Sequence, residues 1–170
     1  MSSLGTDADP DVAAYLRKNA AYARDFHVSL PLRPAKRTAV VACMDSRMDV
    51  FRLLGLDQGD AHVIRNAGGV VTDDTMRSLV ISQRLLETRE IVLIHHTDCG
   101  MLTFKDEELR SSIEAETGAK VPYALGAFTD IDADLREGIA RIKADPHLVS
   151  SERVFGFVFD IASGLLRRVE

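Results

Sequence analysis

The sequence predicts an α/β fold in which a central, mostly parallel β-sheet is flanked by helices. Short β-branched segments that are apolar on both sides, as in buried parallel strands, occur at 37–42 and 90–94, with a weaker one at 60–64. Apolar residues at helical spacing lie between the segments 60–64 and 90–94. Such alternation of strand and helix implies right-handed crossovers. With 170 residues, 46% of them hydrophobic, the chain can bury one core, so we expect a single domain over residues 1–170.

The first predicted element is a helical arm that begins at Asp9-Pro10. Aspartate can cap free backbone N–H groups, and proline tolerates the first helical position. We expect the polar residues 1–8 before it to be flexible. Apolar residues follow at helical spacing from Val12 to Phe26, and the proline-containing segment 29–34 separates the arm from the first strand. From the pattern alone, this apolar stripe can pack either on its own core or on a partner subunit.

The remaining elements alternate along the chain after the first strand. Thr72, Asp73 and Asp74 are predicted to cap a helix that extends to about Leu86. Further helices are expected at about 103–117 and 130–144. The last strand is predicted at 154–159, before a turn at Ser163-Gly164, and it places three aromatic side chains on one face, namely Phe155, Phe157 and Phe159.

Charge and hydropathy exclude several classes of partner. The chain carries 21 basic and 26 acidic residues, for a net charge of −5, and its Lys and Arg residues are scattered. It therefore lacks the basic stripe of a nucleic-acid-binding protein. No apolar stretch approaches the roughly eighteen residues of a membrane span, and no signal-peptide pattern occurs at the start. We predict no membrane association and a cytoplasmic location, where a cysteine pair is more often a metal site than a disulfide.

Two cysteines are all that the chain contains, and each follows an apolar run. Cys43 and His96 are predicted just past the carboxyl ends of two parallel strands, the sheet edge at which ligands collect. Cys99 lies three residues after His96. Thiolates and imidazole are preferred zinc donors, so we predict one Zn²⁺ per chain on Cys43, His96 and Cys99. Three protein ligands leave the fourth position open, as in catalytic sites. The alternatives are a structural zinc site and two buried structural thiols.

Two further groups are expected beside this site. Asp45 and Arg47 share the turn after Cys43, and a carboxylate held by a guanidinium fork would be fixed in orientation. Asp45 could instead become the fourth zinc ligand, or the two could form an ordinary salt bridge. Gly68 and Gly69 let backbone N–H groups approach a ligand closely and are predicted to line the substrate side, the alternative being a tight turn without a ligand role.

Three motifs, in this order, resemble those of the β-class carbonic anhydrases: Cys43-Met-Asp45-Ser-Arg47, Arg65-Asn66-Ala67-Gly68 and His96-Thr-Asp-Cys99-Gly100. The resemblance spans nearly the whole chain, and its last part, Gly156-Phe-Val-Phe-Asp160 with Gly164-Leu165, is similar to the terminal strand pair of the short prokaryotic branch. It implies reversible hydration of CO2 to bicarbonate and a proton by attack of zinc-bound hydroxide. Zinc would bind Cys43, His96 and Cys99, with Asp45 and Arg47 as the gating and orienting dyad. It also implies a homodimer or dimer-based tetramer, with the N-terminal helix on the partner subunit.

Other functions would use the same residues. A related zinc hydrolase of a CO2 analogue such as carbon disulfide would keep the ligands, and a zinc-stabilised interaction or regulatory protein would bind zinc without turnover. A redox switch that joins Cys43 to Cys99 is a further alternative. The candidates for proton transfer are His27, His62 and His147, because imidazole as a side-chain type can titrate near neutral pH. Because the chain has no Trp, the tryptophan-containing bicarbonate regulatory pocket of one family branch is not expected in its usual form.

Overall fold

A computed structural model describes residues 12–26 and 29–170 of the chain. The chain divides into two compact units, Met1–Leu30 and Pro31–Glu170. In the first unit, helix α1 spans Val12–Arg24. The predicted helix start at Asp9-Pro10 and the expected flexible segment 1–8 lie outside the described residues. The single domain over 1–170 and the packing of the arm on a partner subunit stay predictions.

The second unit is built on a five-stranded sheet with the strand order β2-β1-β3-β4-β5. The first four strands run parallel and the last is antiparallel. Their bounds are β1 Thr38–Cys43, β2 Ala61–Asn66, β3 Glu90–His96, β4 Val154–Phe159 and β5 Leu166–Val169. The predicted mostly parallel sheet is therefore confirmed.

The strand pattern was wrong about the end of the sheet. Residues 154–159 form β4 rather than the last strand, because β5 follows the turn at Ser163-Gly164. Strand β5 contains two consecutive exposed residues, Arg167 and Arg168, so it lacks the apolar character of a buried strand. The terminal strand pair had been indicated only by the family resemblance. The three aromatic residues of β4 do share one face, since the alternate residues are the buried ones.

Four helices connect the strands: α2 Val50–Leu54, α3 Asp73–Arg84, α4 Asp106–Thr117 and α5 Ile131–Ala144. Helix α3 begins as predicted, because the Thr72 hydroxyl accepts a hydrogen bond from the Thr75 N–H at 3.2 Å. Helix α4 begins at Asp106, later than the expected start at about 103, and a separate 3-10 turn at Gly100–Leu102 precedes it. Helix α2 was not predicted. Its five residues are too few to show a helical period.

The sheet is covered on both faces. One face buries Ala39, Val41, Ile91 and Leu93 of the strands against residues of α3 and α5, namely Met76, Leu79, Leu135 and Ile142. The other face buries the alternate strand residues, including Val40 and Ile94, against Met48, Val50, Met101 and Phe128. Within the described ranges, no helix has the length and apolar character to cross a membrane.

Candidate metal centre

The predicted ligands lie where two neighbouring strands separate. Cys43 and His96 are the last residues of β1 and β3, rather than residues past the strand ends as predicted. The register between these strands stops at the pair Ala42 and Ile94. Beyond it, Cys43 pairs with β2 and His96 pairs with β4. The two ligands therefore flank a gap at the carboxyl edge of the sheet.

Gly69 fills part of this gap. It has φ +72°, and a Cβ atom at this position would lie 2.8 Å from the Cys43 nitrogen and 3.0 Å from the Ile94 oxygen. Only a residue without a side chain fits so close to the backbone of both strands. The 3-10 turn Ala67–Gly69 thereby brings its backbone to the base of the site.

Cys43, His96 and Cys99 come together as one group. Their possible ligand atoms all lie within 4.8 Å of one another, and the two Sγ atoms are 4.0 Å apart. The three residues are 5%, 0% and 3% exposed, and neither cysteine is in a disulfide. Within the described part of the chain, this is the one such cluster of His, Cys, Asp and Glu ligands.

The chemistry of this group fits a zinc ion. His96 Nδ1 lies 2.9 Å from the Thr97 carbonyl oxygen, and donation of its proton there leaves a lone pair on Nε2. That Nε2 atom is buried and has no hydrogen-bond partner among the described residues. A buried polar atom without a partner is unfavourable unless a ligand meets it. Two thiols and one such imidazole nitrogen are a donor set that Zn²⁺ prefers, so these residues can hold one zinc ion.

The two thiols differ in acidity. Burial raises the pKa of Cys43, but the neighbouring His96 and the backbone N–H groups of Asp45 and Gly68 outweigh it and lower this pKa to about 7. Burial and the nearby Cys43 raise the pKa of Cys99 to about 11. Without a metal, Cys43 is therefore the thiol more easily ionised, and Cys99 must release a proton when it becomes a ligand.

Asp45 is held beside the three ligands by Arg47. Arg47 donates from Nε to Asp45 Oδ1 at 3.0 Å and from Nη2 to Oδ2 at 2.7 Å. These hydrogen bonds keep the pKa of Asp45 well below its usual range, so the carboxylate is ionised at neutral pH. Its Oδ2 lies 3.7 Å from His96 Nε2. In this arrangement the carboxylate engages the guanidinium, and a role as fourth zinc ligand stays a prediction.

Two residues to which the sequence assigned no role hold the turn that contains Asp45 and Arg47. Asp98 accepts from Arg47 Nη1 at 2.7 Å through its carboxylate and from Nη2 at 3.0 Å through its carbonyl oxygen. Arg65 donates to the carbonyl oxygens of Cys43 and Asp45, at 2.9 and 2.6 Å. The position of Arg65 in β2, next to β1, was the signal that could have indicated its contact with the end of β1. The contact of Asp98 with Arg47 had no such signal, because it depends on a left-handed backbone at Asp98, φ +56°.

Gly68 lies beside the same site and also has a positive φ, +80°. A Cβ atom there would lie 2.9 Å from Met101 Cγ and 3.2 Å from both Phe128 Cε1 and Val70 Cγ1. Its backbone N–H favours the Cys43 thiolate. Both glycines thus adjoin Cys43, and their predicted place on the substrate side stays a prediction.

The other described histidines lie outside the cluster. His95 points to the opposite face of the sheet, as its position next to His96 predicted, and it bonds Asp134. His62 bonds Ser82, and His147 is paired with Asp145 at the surface. His27 is not among the described residues.

Comparisons with known proteins agree with this geometry. A sequence profile of the carbonic anhydrase family matches residues 38–147. β-Carbonic anhydrase 1 of Mycobacterium tuberculosis is 52% identical over 155 residues, which cover 91% of this chain and 95% of the relative. A carbon disulfide hydrolase of Acidianus is 47% identical over 157 residues, covering 78% of this chain and 77% of that protein.

Solved structures show the same relationship. The crystal structure of the carbonic anhydrase from Streptococcus mutans matches with a TM-score of 0.86 and 42% identity, covering 93% of this chain and 96% of that chain. The profile match and the extended similarity to the mycobacterial protein agree with the motifs that surround Cys43, His96 and Cys99. The chain therefore belongs to the β-carbonic anhydrase family.

Proposed function

We propose that this protein catalyses the reversible hydration of CO2 to bicarbonate and a proton at the site of Cys43, His96 and Cys99. The observation that carries the proposal is the buried His96 Nε2, which has no hydrogen-bond partner among the described residues and lies among two thiols, 3.7 Å from the ionised Asp45 carboxylate. Membership of the carbonic anhydrase family supports the reaction.

A zinc ion held by these three residues would supply Lewis acidity that lowers the pKa of a coordinated water, though less than at a three-histidine site, because two thiolates offset the charge of the ion. The protein's own contribution begins with Asp45. As an ionised carboxylate it can only accept hydrogen bonds, and Arg47 fixes its orientation. It would therefore accept a hydrogen bond from the O–H of a water or bicarbonate at the site. This hydrogen bond would orient a lone pair of the same oxygen towards the carbon of CO2.

The residues around Gly68 suit the apolar substrate. Val70, Met101 and Phe128 pack around this glycine, and Met101 and Phe128 are themselves buried. CO2 has no net charge and gains little from polar contacts, so an apolar wall on this side would admit it while excluding bulk water. Gly68 and Gly69 would then line the substrate side, with Asp45 as the polar group of the site.

The test is stopped-flow CO2 hydration by protein with one zinc per chain, compared with the same protein after chelation. We expect zinc-dependent hydration that returns when zinc is restored. Hydration that does not depend on zinc would contradict the proposal. A protein that binds zinc without hydrating CO2 from neutral pH to about pH 9, the range around zinc–water ionisation, would instead be a zinc-stabilised interaction or regulatory protein.

Carbon disulfide is the second candidate substrate, because the Acidianus relative at 47% identity is a carbon disulfide hydrolase. The same preparation would be assayed with CO2 and with carbon disulfide. We expect faster turnover of CO2. A higher kcat/KM for carbon disulfide would reverse this assignment.

We also propose that the protein is a homodimer or a dimer-based tetramer in which α1 packs on the partner subunit. Its described side chains support this, since Tyr15, Leu16 and Tyr22 are exposed apolar groups. Light scattering after size exclusion should give at least twice the chain mass, and Leu16→Glu should shift it towards the monomer. A monomeric wild type at micromolar concentration would contradict the proposal.

A cytoplasmic location is proposed from the two cysteines. Both must stay reduced to act as ligands, and their Sγ atoms are only 4.0 Å apart. Cell fractionation should recover the protein with cytoplasmic markers. Recovery in an oxidising compartment, or purification with a Cys43–Cys99 disulfide and little zinc, would favour the redox-switch alternative.

A further inference from the structure

The end of β3 is held by fewer backbone hydrogen bonds than the rest of the strand. Up to Ile94 it pairs with β1 on one side and β4 on the other. His95 and His96 pair only with β4, opposite Val158 and Phe159. The residue that carries the candidate metal-binding imidazole therefore lies on a strand end that β1 no longer supports.

A side-chain bond to α5 attaches this strand end from the other face of the sheet. His95 Nε2 lies 2.6 Å from Asp134 Oδ2, and the His95 side chain is 2% exposed. Its second nitrogen, Nδ1, is buried without a partner among the described residues. Placing the proton on Nε2 gives Asp134 its donor. A hydrogen bond to a carboxylate in such a buried place is strong and directional.

The His95 ring is also fixed by stacking. It lies on the Phe128 ring with centroids 5.2 Å apart and an interplanar angle of 20°. Phe128 in turn lies 3.2 Å from the position that a Gly68 Cβ would occupy, beside the site. The imidazole is thus held by a helix on one side and by a wall residue of the metal site on the other.

We infer that His95 and Asp134 are positioning residues of the metal centre: their bond anchors the end of β3 to α5 and thereby sets where His96 Nε2 meets the metal. The inference rests on the proposed function, because it concerns the same zinc site. Neither residue is one of the three candidate ligands. Their effect passes through the backbone of one residue, from His95 to His96.

The same helix provides a matched control. Asp132 lies two residues before Asp134 on α5, and it accepts from Arg167 of β5 at 2.6 and 3.0 Å. The two aspartate side chains are 27% and 25% exposed. Each thus accepts a short hydrogen bond from a side chain on a strand, but only Asp134 bonds the strand that carries His96. Loss of either bond removes an attachment of α5, whereas only loss of the Asp134 bond should change the metal site.

The experiment measures Zn²⁺ affinity by competition with a chelator and records the absorption spectrum of the Co²⁺-loaded protein. Asp134→Ala, Asp134→Asn and Asp132→Ala are compared with wild type at a temperature at which circular dichroism shows all of them folded. We expect Asp134→Ala to bind Zn²⁺ about tenfold more weakly or worse, with shifted Co²⁺ bands. Asp134→Asn keeps an acceptor oxygen and should recover most of the affinity. Asp132→Ala should match wild type in both readouts.

Wild-type affinity and spectrum in folded Asp134→Ala would overturn the inference, and so would an equal loss in Asp132→Ala. If Asp134→Ala does not fold, His95→Leu replaces it, because leucine fills the buried space but offers Asp134 no donor. The same loss of affinity is then expected, and its absence overturns the inference. Wild type that binds zinc without hydrating CO2 would refute the proposed function and leave this test intact.

Discussion

Replacing Gly69 with alanine would test whether the gap between β1 and β3 accepts anything larger than a hydrogen atom. The left-handed backbone at φ +72° alone costs alanine about 1–2 kcal/mol. The new Cβ would also lie 2.8 Å from the Cys43 nitrogen and 3.0 Å from the Ala42 carbonyl carbon, both backbone atoms that cannot rotate away. Overpacking of this kind costs about 1–3 kcal/mol more. We therefore expect a total destabilisation of about 2–5 kcal/mol.

Gly164 separates the two contributions. It has nearly the same conformation, φ +74°, but apart from its chain neighbours no atom of the described residues lies within 4 Å of the position its Cβ would take. Gly164→Ala should therefore show only the conformational part, about 1–2 kcal/mol. The assay is thermal unfolding of both variants at equal protein and zinc concentrations. A chain of this size loses about 2–4 °C per kcal/mol, so we expect Gly69→Ala to unfold roughly 4–20 °C below wild type and Gly164→Ala roughly 2–8 °C below.

The order of the two variants decides the question. If Gly69→Ala is no less stable than Gly164→Ala, the close approach at the base of the site has no energetic weight, and the reasoning about the gap is wrong. Zinc content provides a second reading. Because the clash falls on the backbone of Cys43, Gly69→Ala should also retain less than one zinc per chain, whereas Gly164→Ala should retain the full amount.

Three further predictions concern the site and the loop beside it. Asp45→Asn should keep one zinc per chain and lose CO2 hydration about tenfold or more, because the acceptor held by Arg47 loses its charge; unchanged hydration would contradict the orienting role. Removal of zinc by a chelator should lower the unfolding temperature reversibly, since an ion at 1,000 times its Kd stabilises the folded state by about 4 kcal/mol; an unchanged temperature would mean that the fold does not bind the ion. Asp106 accepts three backbone N–H groups, from residues 125–127, at 2.7–3.1 Å, and these bonds lower its pKa. The stabilisation by the Asp106 carboxylate is therefore fully present above the unfolded pKa of about 3.9 and is lost as the pH falls through the lower folded value. We expect Asp106→Asn to be less stable than wild type by about 1–2 kcal/mol at pH 7, and this difference should shrink in acid. Urea unfolding at pH 7 and at about pH 3 checks this, and a difference that is the same at both would refute it.

Much of the site followed from local sequence patterns. Cys43 and His96 end two buried strands, and the rule that ligands collect at the carboxyl edge of parallel strands was enough to bring them together across 52 intervening positions. Asp45 and Arg47 are two residues apart, so their pairing required no knowledge of the fold. The first four strands and the longer helices were predictable because their apolar patterns extend over enough residues.

What escaped prediction depends on tertiary geometry. Strand β5 is an edge strand with two arginines, and α2 is little more than one turn, so neither carries a readable period. The strand pattern placed His95 opposite His96, but it could not identify Asp134 as the partner. The rotation of α5 about its axis decides which of its carboxylates faces the sheet, and that rotation is set by packing rather than by local sequence.

The separation of β1 from β3 divides the carboxyl edge of the sheet into two halves. Strands β2 and β1 lie on one side of the gap and β3, β4 and β5 on the other. Cys43 belongs to the first half, and His96 and Cys99 to the second, so the halves would be joined there through a bound ion instead of through a backbone ladder. Amide hydrogens at this edge should therefore exchange faster with solvent when the metal is removed, while those at the amino ends of the same strands keep their protection. Binding of the ion and rigidity of the sheet edge would be a single event.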